Sequence, residues 1–418
     1  MTDIVLAAFS VFFTQCPSFL SYQRVMQEVS GRNNARSLFT VETIPSDTHI
    51  RELLDHIKPS LVFPVFQWCF AQLREQDGLK DFKSKLGYLI ALDGTQYASS
   101  EKIHCDDCLK STEKKTGKIT YYHTAVTPVM VKQGSEHVLS LVPEFITPQD
   151  GSLKQDCEIN ASKRLLLSHK EQALKDMEVT YLGDDLYAHE PFCRNVLETG
   201  HSFIFVCKPE SHKTVYEWIT GITKEKVIDQ FDGKSHKIFT YTYACGVPLK
   251  DGNNALLVNF VEVTVTDRKT GKKLYHNAFV TNHPLQGVTE EETKKLLETI
   301  VSCGRTRWKI ENENNNTLKT KGYHFEHNYG HGEKYLSSLL ATLILLAFLF
   351  HTLLDLFCKP YQALRKKLAT REEFFGSIRY LTRFYYATSW DHLFSSMKKG
   401  LETLLPLPEE VFATIPSG

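Results

Sequence analysis

The sequence lacks any excess of basic charge: 49 Lys and Arg stand against 49 Asp and Glu in 418 residues, a formal net charge of zero. Nucleic-acid binders usually carry a basic surplus, so the bulk charge gives no pointer to DNA or RNA. Any such partner has to be met by local patches. One candidate patch lies between Lys359 and Lys399, where nine Lys or Arg (Lys359, Arg365, Lys366, Lys367, Arg371, Arg379, Arg383, Lys398, Lys399) face three acids. Internal repeats and low-complexity tracts are also missing, which excludes solenoids, collagen-like rods and disordered tails as the main architecture. Closely spaced cysteines are scarce. Of ten, only Cys105 and Cys108 form a near pair, a pattern that argues against a disulfide scaffold and for a reduced, cytosolic chain. Met1 to Phe13 is apolar but has neither a basic leading segment nor a small-residue cleavage motif, so it is not read as a signal peptide. Long apolar runs are limited to Tyr335–Leu354, which holds no Asp, Glu, Lys or Arg. Its length would span a bilayer, but it contains Ser337, Ser338, Thr342, His351 and Thr352, and a buried core helix is the favoured reading.

What is present is an ordinary globular composition, 42% hydrophobic and 23% charged, in a chain long enough for two or three structural units. Residues 1–80 read as helical. In SDTHIRELLDHI the apolar positions Ile50, Leu53, Leu54 and Ile57 follow helical spacing behind Ser46 and Asp47. From Leu86 the pattern changes. KLGYLIALDGT is an apolar run ended by an acid and a glycine, as a buried strand would be. A charged loop spans 102–118. Strands are expected at Thr120–Val131 and His137–Ile146, a helix at Leu153–Met177, a strand at Val179–Gly183, a helix at Pro191–Leu197 and a strand at Phe203–Lys208.

Three strands, helix, strand, helix, strand is the order of a ribonuclease-H-like fold, an α/β mixed sheet flanked by helices with right-handed crossovers. In that order the first strand is central and the fourth lies beside it. Residues 81–209 form its first part. A β-rich insertion over 210–281 follows, with HKIFTYTYACGV, ALLVNFVEVTVTD and KKLYHNAFVTN separated by turn signals. Residues 282–358 complete the domain, beginning with a capping box at Thr289 and Glu292. A basic helical region, 359–418, ends the chain.

Two-metal phosphoryl transfer needs carboxylates converging on one place to hold Mg²⁺ or Mn²⁺. Asp93 closes the first strand, Asp184 the fourth, and Glu311 lies in RTRWKIENENNNTLK, too polar for a routine core helix. Each has a plainer alternative. Asp93 begins an Asp-Gly turn pair, Asp185 competes with Asp184, and Glu311 or Glu313 would sit on a solvated helix face. Their joint placement at two neighbouring strand ends and one later helix is the stronger signal.

The motifs ALDGTQYASS, YLGDDLYA and RWKIENENNNTLK, together with KQDCE at 154–158 and FIFVCKP at 203–209, resemble those of DDE transposases of bacterial insertion sequences. The branch is the one with a tyrosine–arginine–glutamate–lysine signature and a β-rich insertion before the glutamate. The resemblance covers roughly residues 86–350 and implies that Asp93, Asp184 and Glu311 are the catalytic, Mg²⁺-binding triad and Arg307 the signature arginine. It implies double-stranded DNA as partner, a homodimer on that DNA, and a prokaryotic, nucleoid-associated location without membrane attachment. The chain departs from the signature at two places. Gly304 stands where the tyrosine would be, and Leu318 where the lysine would be, with Lys319 next to it. Arg307, Lys309 and Lys319 are expected on DNA phosphates. Trp308 and Trp218 are candidates for base stacking, though core packing is the favoured reading for both.

His104, Cys105, Cys108 and His123 form a candidate structural zinc site, with reduced free cysteines as the alternative. In HFEHNYGHG, His324, His327 and His331 invite a metal reading, but Gly330 and Gly332 argue against a helix that would pair His327 with His331; a phosphate or base contact, or plain loop packing, is preferred. Two other functions stay open on the sequence alone: a membrane-anchored protein held by the 335–354 helix, and a nuclease-fold protein that binds DNA without catalysis.

Overall fold

The computed structural model describes residues 2–148, 156–171, 174–221, 225–230, 237–327, 329–368 and 370–402. Its centre is a mixed sheet flanked by helices. From one edge the strands run Glu225–Gln230, Lys237–Pro248, Leu257–Asp267, Lys273–Thr281, Ser202–Val206, Val179–Gly183, Gly87–Ala91, Val129–Val131 and Leu139–Ser140, and Lys83–Ser84 also pairs with Gly87–Ala91. Gly87–Ala91, Val179–Gly183 and Ser202–Val206 are mutually parallel, and the other pairings are antiparallel. All five residues of Val179–Gly183 are buried. Parallel strands covered on both faces need such unbroken apolar runs.

The β-rich segment after residue 210 is not a separate body. Its last strand, Lys273–Thr281, pairs with Ser202–Val206 in the register Ile204↔Thr281, so the insertion extends the central sheet sideways. Alternation of Val261, Val263 and Val265 with Glu262 and Thr264 buries one face of it.

Two expected strands are broken by proline. The run Thr120–Val131 divides into Ile119–Val126, which belongs to a second, four-stranded sheet, and Val129–Val131, which joins the central one. Pro128 cannot donate to a ladder, and the chain uses that point to change sheets. His137–Ile146 divides in the same way around Pro143, into Leu139–Ser140 and Glu144–Ile146. The second sheet also contains Gly94–Ser100 and Leu109–Thr112, so the expected loop 102–118 carries a strand. The helix expected over 153–177 is described as Glu158–Glu171; residues 153–155 and 172–173 of that expectation lie outside the described residues. The capping box at the start of the Glu290–Arg305 helix is formed in both directions by Thr289 and Glu292.

The apolar run forms one 22-residue helix, Leu336–Phe357, packed against the N-terminal Thr2–Phe13 helix and the Leu139–Ser140 strand. Its polar residues are satisfied within the chain. Thr342 donates to the carbonyl of Ser338, and Thr352 to that of Phe348. The fully buried His351 donates from Nε2 to the Phe13 carbonyl (2.9 Å) and accepts at Nδ1 from the Tyr323 hydroxyl (2.7 Å). These internal bonds let a helix with two threonines and a histidine on buried positions serve as the core of the helical layer. The two ends of the chain share that layer. The Asn34 amide donates to the carbonyls of Thr382 and Tyr385, both at 2.7 Å, and Trp390 donates to that of Leu38.

Candidate functional site

Strand register brings the first two acids together. Gly87–Ala91 and Val179–Gly183 pair in parallel with Ala91 opposite Leu182, and Leu92 donates its amide to the Leu182 carbonyl at 2.8 Å. Asp93 and Asp184 therefore leave adjacent strands in step, at the carboxyl ends where α/β sheets bind ligands. Asp184 opens a short 3₁₀ turn, its Oδ1 accepting the Leu186 amide at 2.9 Å. Its competitor Asp185 is used differently. It accepts the Lys208 amide at 2.6 Å and pairs with His212 at 3.3 Å, tying this turn to the end of the next strand.

Glu311 arrives on a π-helical segment, Ile310–Asn315. One turn later the Asn315 carboxamide donates to Asp93 Oδ2 at 2.7 Å, which docks the glutamate segment on the first strand's acid. Glu311 itself is held by Arg307 at 2.7 Å. The three acids thus share one neighbourhood but do not converge on a single point. Among the described residues only a cysteine–histidine set gathers three or more ligand atoms closely enough for one ion.

A fourth acid, Glu158, was not singled out from the sequence. Its Oε1 accepts the Gly94 amide at 3.0 Å and the Tyr187 hydroxyl at 2.6 Å. A Cβ on Gly94 would collide with that carboxylate, and one on Gly183 would collide with the Tyr187 ring. The glycines of ALDG and YLGDD are therefore the space in which the fourth acid and its tyrosine sit. Glu158 closes the KQDCE motif, which was the available signal.

The electrostatic result is concentrated on Asp93. Burial and the charge of Glu158, opposed by Arg307 and reinforced by Asp184 and Glu311, push its carboxyl from the ordinary 3.8 up to about 7. Glu158 is raised too, by burial and by Asp184, against the lowering effect of its two hydrogen bonds. Crowded carboxylates of this kind are hard oxygen donors whose mutual repulsion a divalent cation would relieve.

Local packing accounts for the residues at 304 and 318–319. Gly304 is buried, and a Cβ there would strike the Phe279 ring and Ile204, so no tyrosine fits. An i→i+5 turn holds one residue more than an α-turn. The π segment after Glu311 absorbs that residue, so Lys319 takes the face that the position before it would hold on an unbroken α-helix. Leu318 is wholly buried, whereas Lys319 reaches the surface and pairs with Glu326 at 2.7 Å.

The two tryptophans are not core residues. Trp308 is 44% and Trp218 49% exposed, which corrects the packing reading. Lys309 is only 6% exposed, with its ammonium 4.9 Å from the Trp308 ring centroid, so it braces that ring and, unlike Lys319, is not presented at the surface.

The expected zinc ligands separate. Cys105, Cys108 and His123 do come together, but His104 stacks on Tyr121 at 4.4 Å and is not in the cluster. The fourth position is taken by His331, 208 residues beyond His123, where the sequence favours a phosphate or base contact or loop packing. No local spacing connects the two segments. His324 and His327 remain outside the set.

No family model matches this chain, and no curated protein matches its sequence.

Proposed function

We propose that this chain is a DDE transposase that cuts DNA at insertion-sequence ends and joins it to a target, using Asp93, Asp184 and Glu311 on a ribonuclease-H-like core. The observation that carries the reading is the step-for-step placement of Asp93 and Asp184 on adjacent parallel strands, with the Glu311 segment tied to Asp93 through Asn315. The sheet supports it as well. A central strand has an antiparallel hairpin on one side and two parallel crossover strands on the other, the order expected of that fold.

Two Mg²⁺ or Mn²⁺ ions, when bound, would lower the pKa of an attacking water and neutralise the leaving oxygen. Asp93, Asp184 and Glu311 would supply the carboxylate oxygens that hold them. A pair of ions does not need all three carboxylates around one point. Glu158 holds the Gly94 backbone beside Asp93 and adds negative charge to the site. Arg307 keeps Glu311 in reach and has donors left for a phosphate. Lys319 supplies a second surface cation, and the exposed Trp308, braced by Lys309, offers a face on which a displaced base can stack. Hydrolysis at the element end leaves a 3′-hydroxyl, which then attacks a target phosphodiester in the same site. Two ends must be joined, so a homodimer on double-stranded DNA is expected, in the bacterial nucleoid.

The test is Mg²⁺-dependent nicking of a duplex carrying the DNA that flanks the encoding gene, with 3′-ends mapped. Asp93→Ala, Asp184→Ala and Glu311→Ala should each abolish it while leaving DNA binding intact. A wild-type chain that binds this duplex but never cuts it, with Mg²⁺ or Mn²⁺, rejects the catalytic reading in favour of a DNA-binding protein on the same fold.

A further inference from the structure

We propose that Cys105, Cys108, His123 and His331 bind one structural Zn²⁺ ion that rivets the excursion after the Asp93 strand to the segment following the Glu311 helix.

Five of the six separations among the four ligand atoms already match the edges of a zinc tetrahedron. Zinc bonds of about 2.3 Å to sulfur and about 2.0–2.1 Å to nitrogen, at tetrahedral angles, give edges of about 3.8 Å for S–S, about 3.5 Å for S–N and about 3.3 Å for N–N. The Sγ atoms of Cys105 and Cys108 are 3.8 Å apart. His123 Nε2 lies 3.5 Å from the first and 3.4 Å from the second, His331 Nε2 lies 3.3 Å from Cys108 Sγ, and the two Nε2 atoms are 3.1 Å apart. All four atoms fall within 4.8 Å of one another.

The tautomer of His331 points the same way. Its Nδ1 lies 2.8 Å from the Gly332 carbonyl, which can only accept, so Nδ1 carries the proton and Nε2 presents a lone pair to the cluster. A backbone carbonyl on the far nitrogen is the usual support of a zinc-bound histidine. His123 is buried and stacked on Tyr97, which fixes its ring toward the same point. Two thiols binding as thiolates would release two protons to solvent and leave a neutral site with two neutral imidazoles.

The segment held by His331 explains the need for such a rivet. Between Thr320 and Leu336 it forms no helix or strand among the described residues, and Gly322, Gly330 and Gly332 adopt left-handed backbone angles. It joins the Glu311 helix to the buried Leu336–Phe357 helix. A metal clip closing a loop of 208 residues restricts the unfolded chain in the way a long-range disulfide does.

The proposal is independent of DNA cleavage, and its test reads metal. Full-length protein purified without chelators should contain about one zinc per chain by elemental analysis. Exchange with Co²⁺ should give the intense d–d absorption of a tetrahedral ion together with thiolate-to-cobalt charge-transfer bands. Cys105→Ser and Cys108→Ser should lose the zinc and His104→Ala should keep it. Because the cysteine variants can fail to fold, His331→Cys provides a second reading: it should retain the ion as a three-cysteine site with stronger charge-transfer absorption. Stripping the ion from the wild type should lower its melting temperature and expose the 322–332 segment to protease. Wild-type protein that holds no zinc and gives no cobalt spectrum, or a zinc content unchanged in both Cys108→Ser and His331→Ala, overturns the proposal.

Discussion

The Asn315 carboxamide reaches Oδ2 of Asp93 at 2.7 Å, bridging 222 residues of sequence. Through this bond the position of the Glu311 segment depends on the state of the first strand's acid. On the proposed strand-cleaving reading, Asn315→Ala should leave the fold intact and reduce cleavage by roughly 10–100-fold, because a small misplacement of a reacting group slows a reaction far more than one hydrogen bond stabilises the fold. Asn315→Asp should be worse, since it adds a carboxylate to a site that already repels its own. Single-turnover cleavage rates beside melting curves decide this; equal rates for all three proteins would remove Asn315 from any positioning role.

Asp93 gives the apo protein a definite pH dependence. Its folded carboxyl is raised to about 7 from an ordinary 3.8, so its unfavourable contribution is absent below the ordinary value, grows as pH rises between the two values and is complete above about 7. Glu158, raised in the same direction, adds to the trend, and the Arg307 cation limits it. In EDTA, Asp93→Asn should therefore melt closest to the wild type below about pH 4, pull ahead of it as pH rises towards 7, and stay a few degrees above it near pH 8. Mg²⁺ should stabilise the wild type at pH 8 by mass action and the variant much less. A wild type more stable than Asp93→Asn at pH 8 in EDTA would show that the carboxylates are not crowded as described.

Glu158 and Gly94 test whether the fourth acid belongs to the architecture. Glu158→Ala strips a buried tyrosine hydroxyl and a backbone amide of their acceptor, a loss of about 1–3 kcal/mol for an unsatisfied group. Glu158→Gln keeps an acceptor oxygen and removes the charge. It should retain most of the stability and lower the pKa of Asp93. Gly94→Ala forces a methyl into the Glu158 carboxylate and should cost about 1–3 kcal/mol as overpacking. The double variant Gly94→Ala with Glu158→Ala should be less destabilised than the sum of the two. Strict additivity in denaturant titrations would mean that the two residues do not share this space.

Legibility in the sequence followed the range of the interactions. The Gly87–Ala91 and Val179–Gly183 strands and the Thr289 capping box are written in neighbouring residues, and apolar runs or spacing were enough to find them. Asp93 and Asp184 were legible because each ends such a run. Glu158 was not, because its role depends on partners 64 and 29 residues away. His331 is hidden for the same reason: the sequence points to His104, adjacent to the cysteines, whose ring stacks on Tyr121 instead. The division of Thr120–Val131 was visible in principle. Pro128 lies inside it, and continuous apolar character outweighed the missing donor in the reading.

The π segment makes the last prediction. Because it takes up one residue, Lys319 and not its predecessor faces outward, where its ammonium pairs with Glu326 in the free protein. If DNA replaces Glu326 as its partner, Lys319→Ala should weaken binding of all duplexes alike and reduce the dependence of log K on log salt by about 0.9, the signature of one phosphate contact. Glu326→Gln should act oppositely, freeing the lysine and strengthening binding. Leu318→Lys should not rescue Lys319→Ala, because it drives a charge into a position with no solvent exposure and should unfold the helix locally. Rescue by Leu318→Lys in a salt-dependent binding assay would mean that the segment follows ordinary α-helical register when DNA is bound, and that the extra residue of the π turn is a feature of the free protein alone.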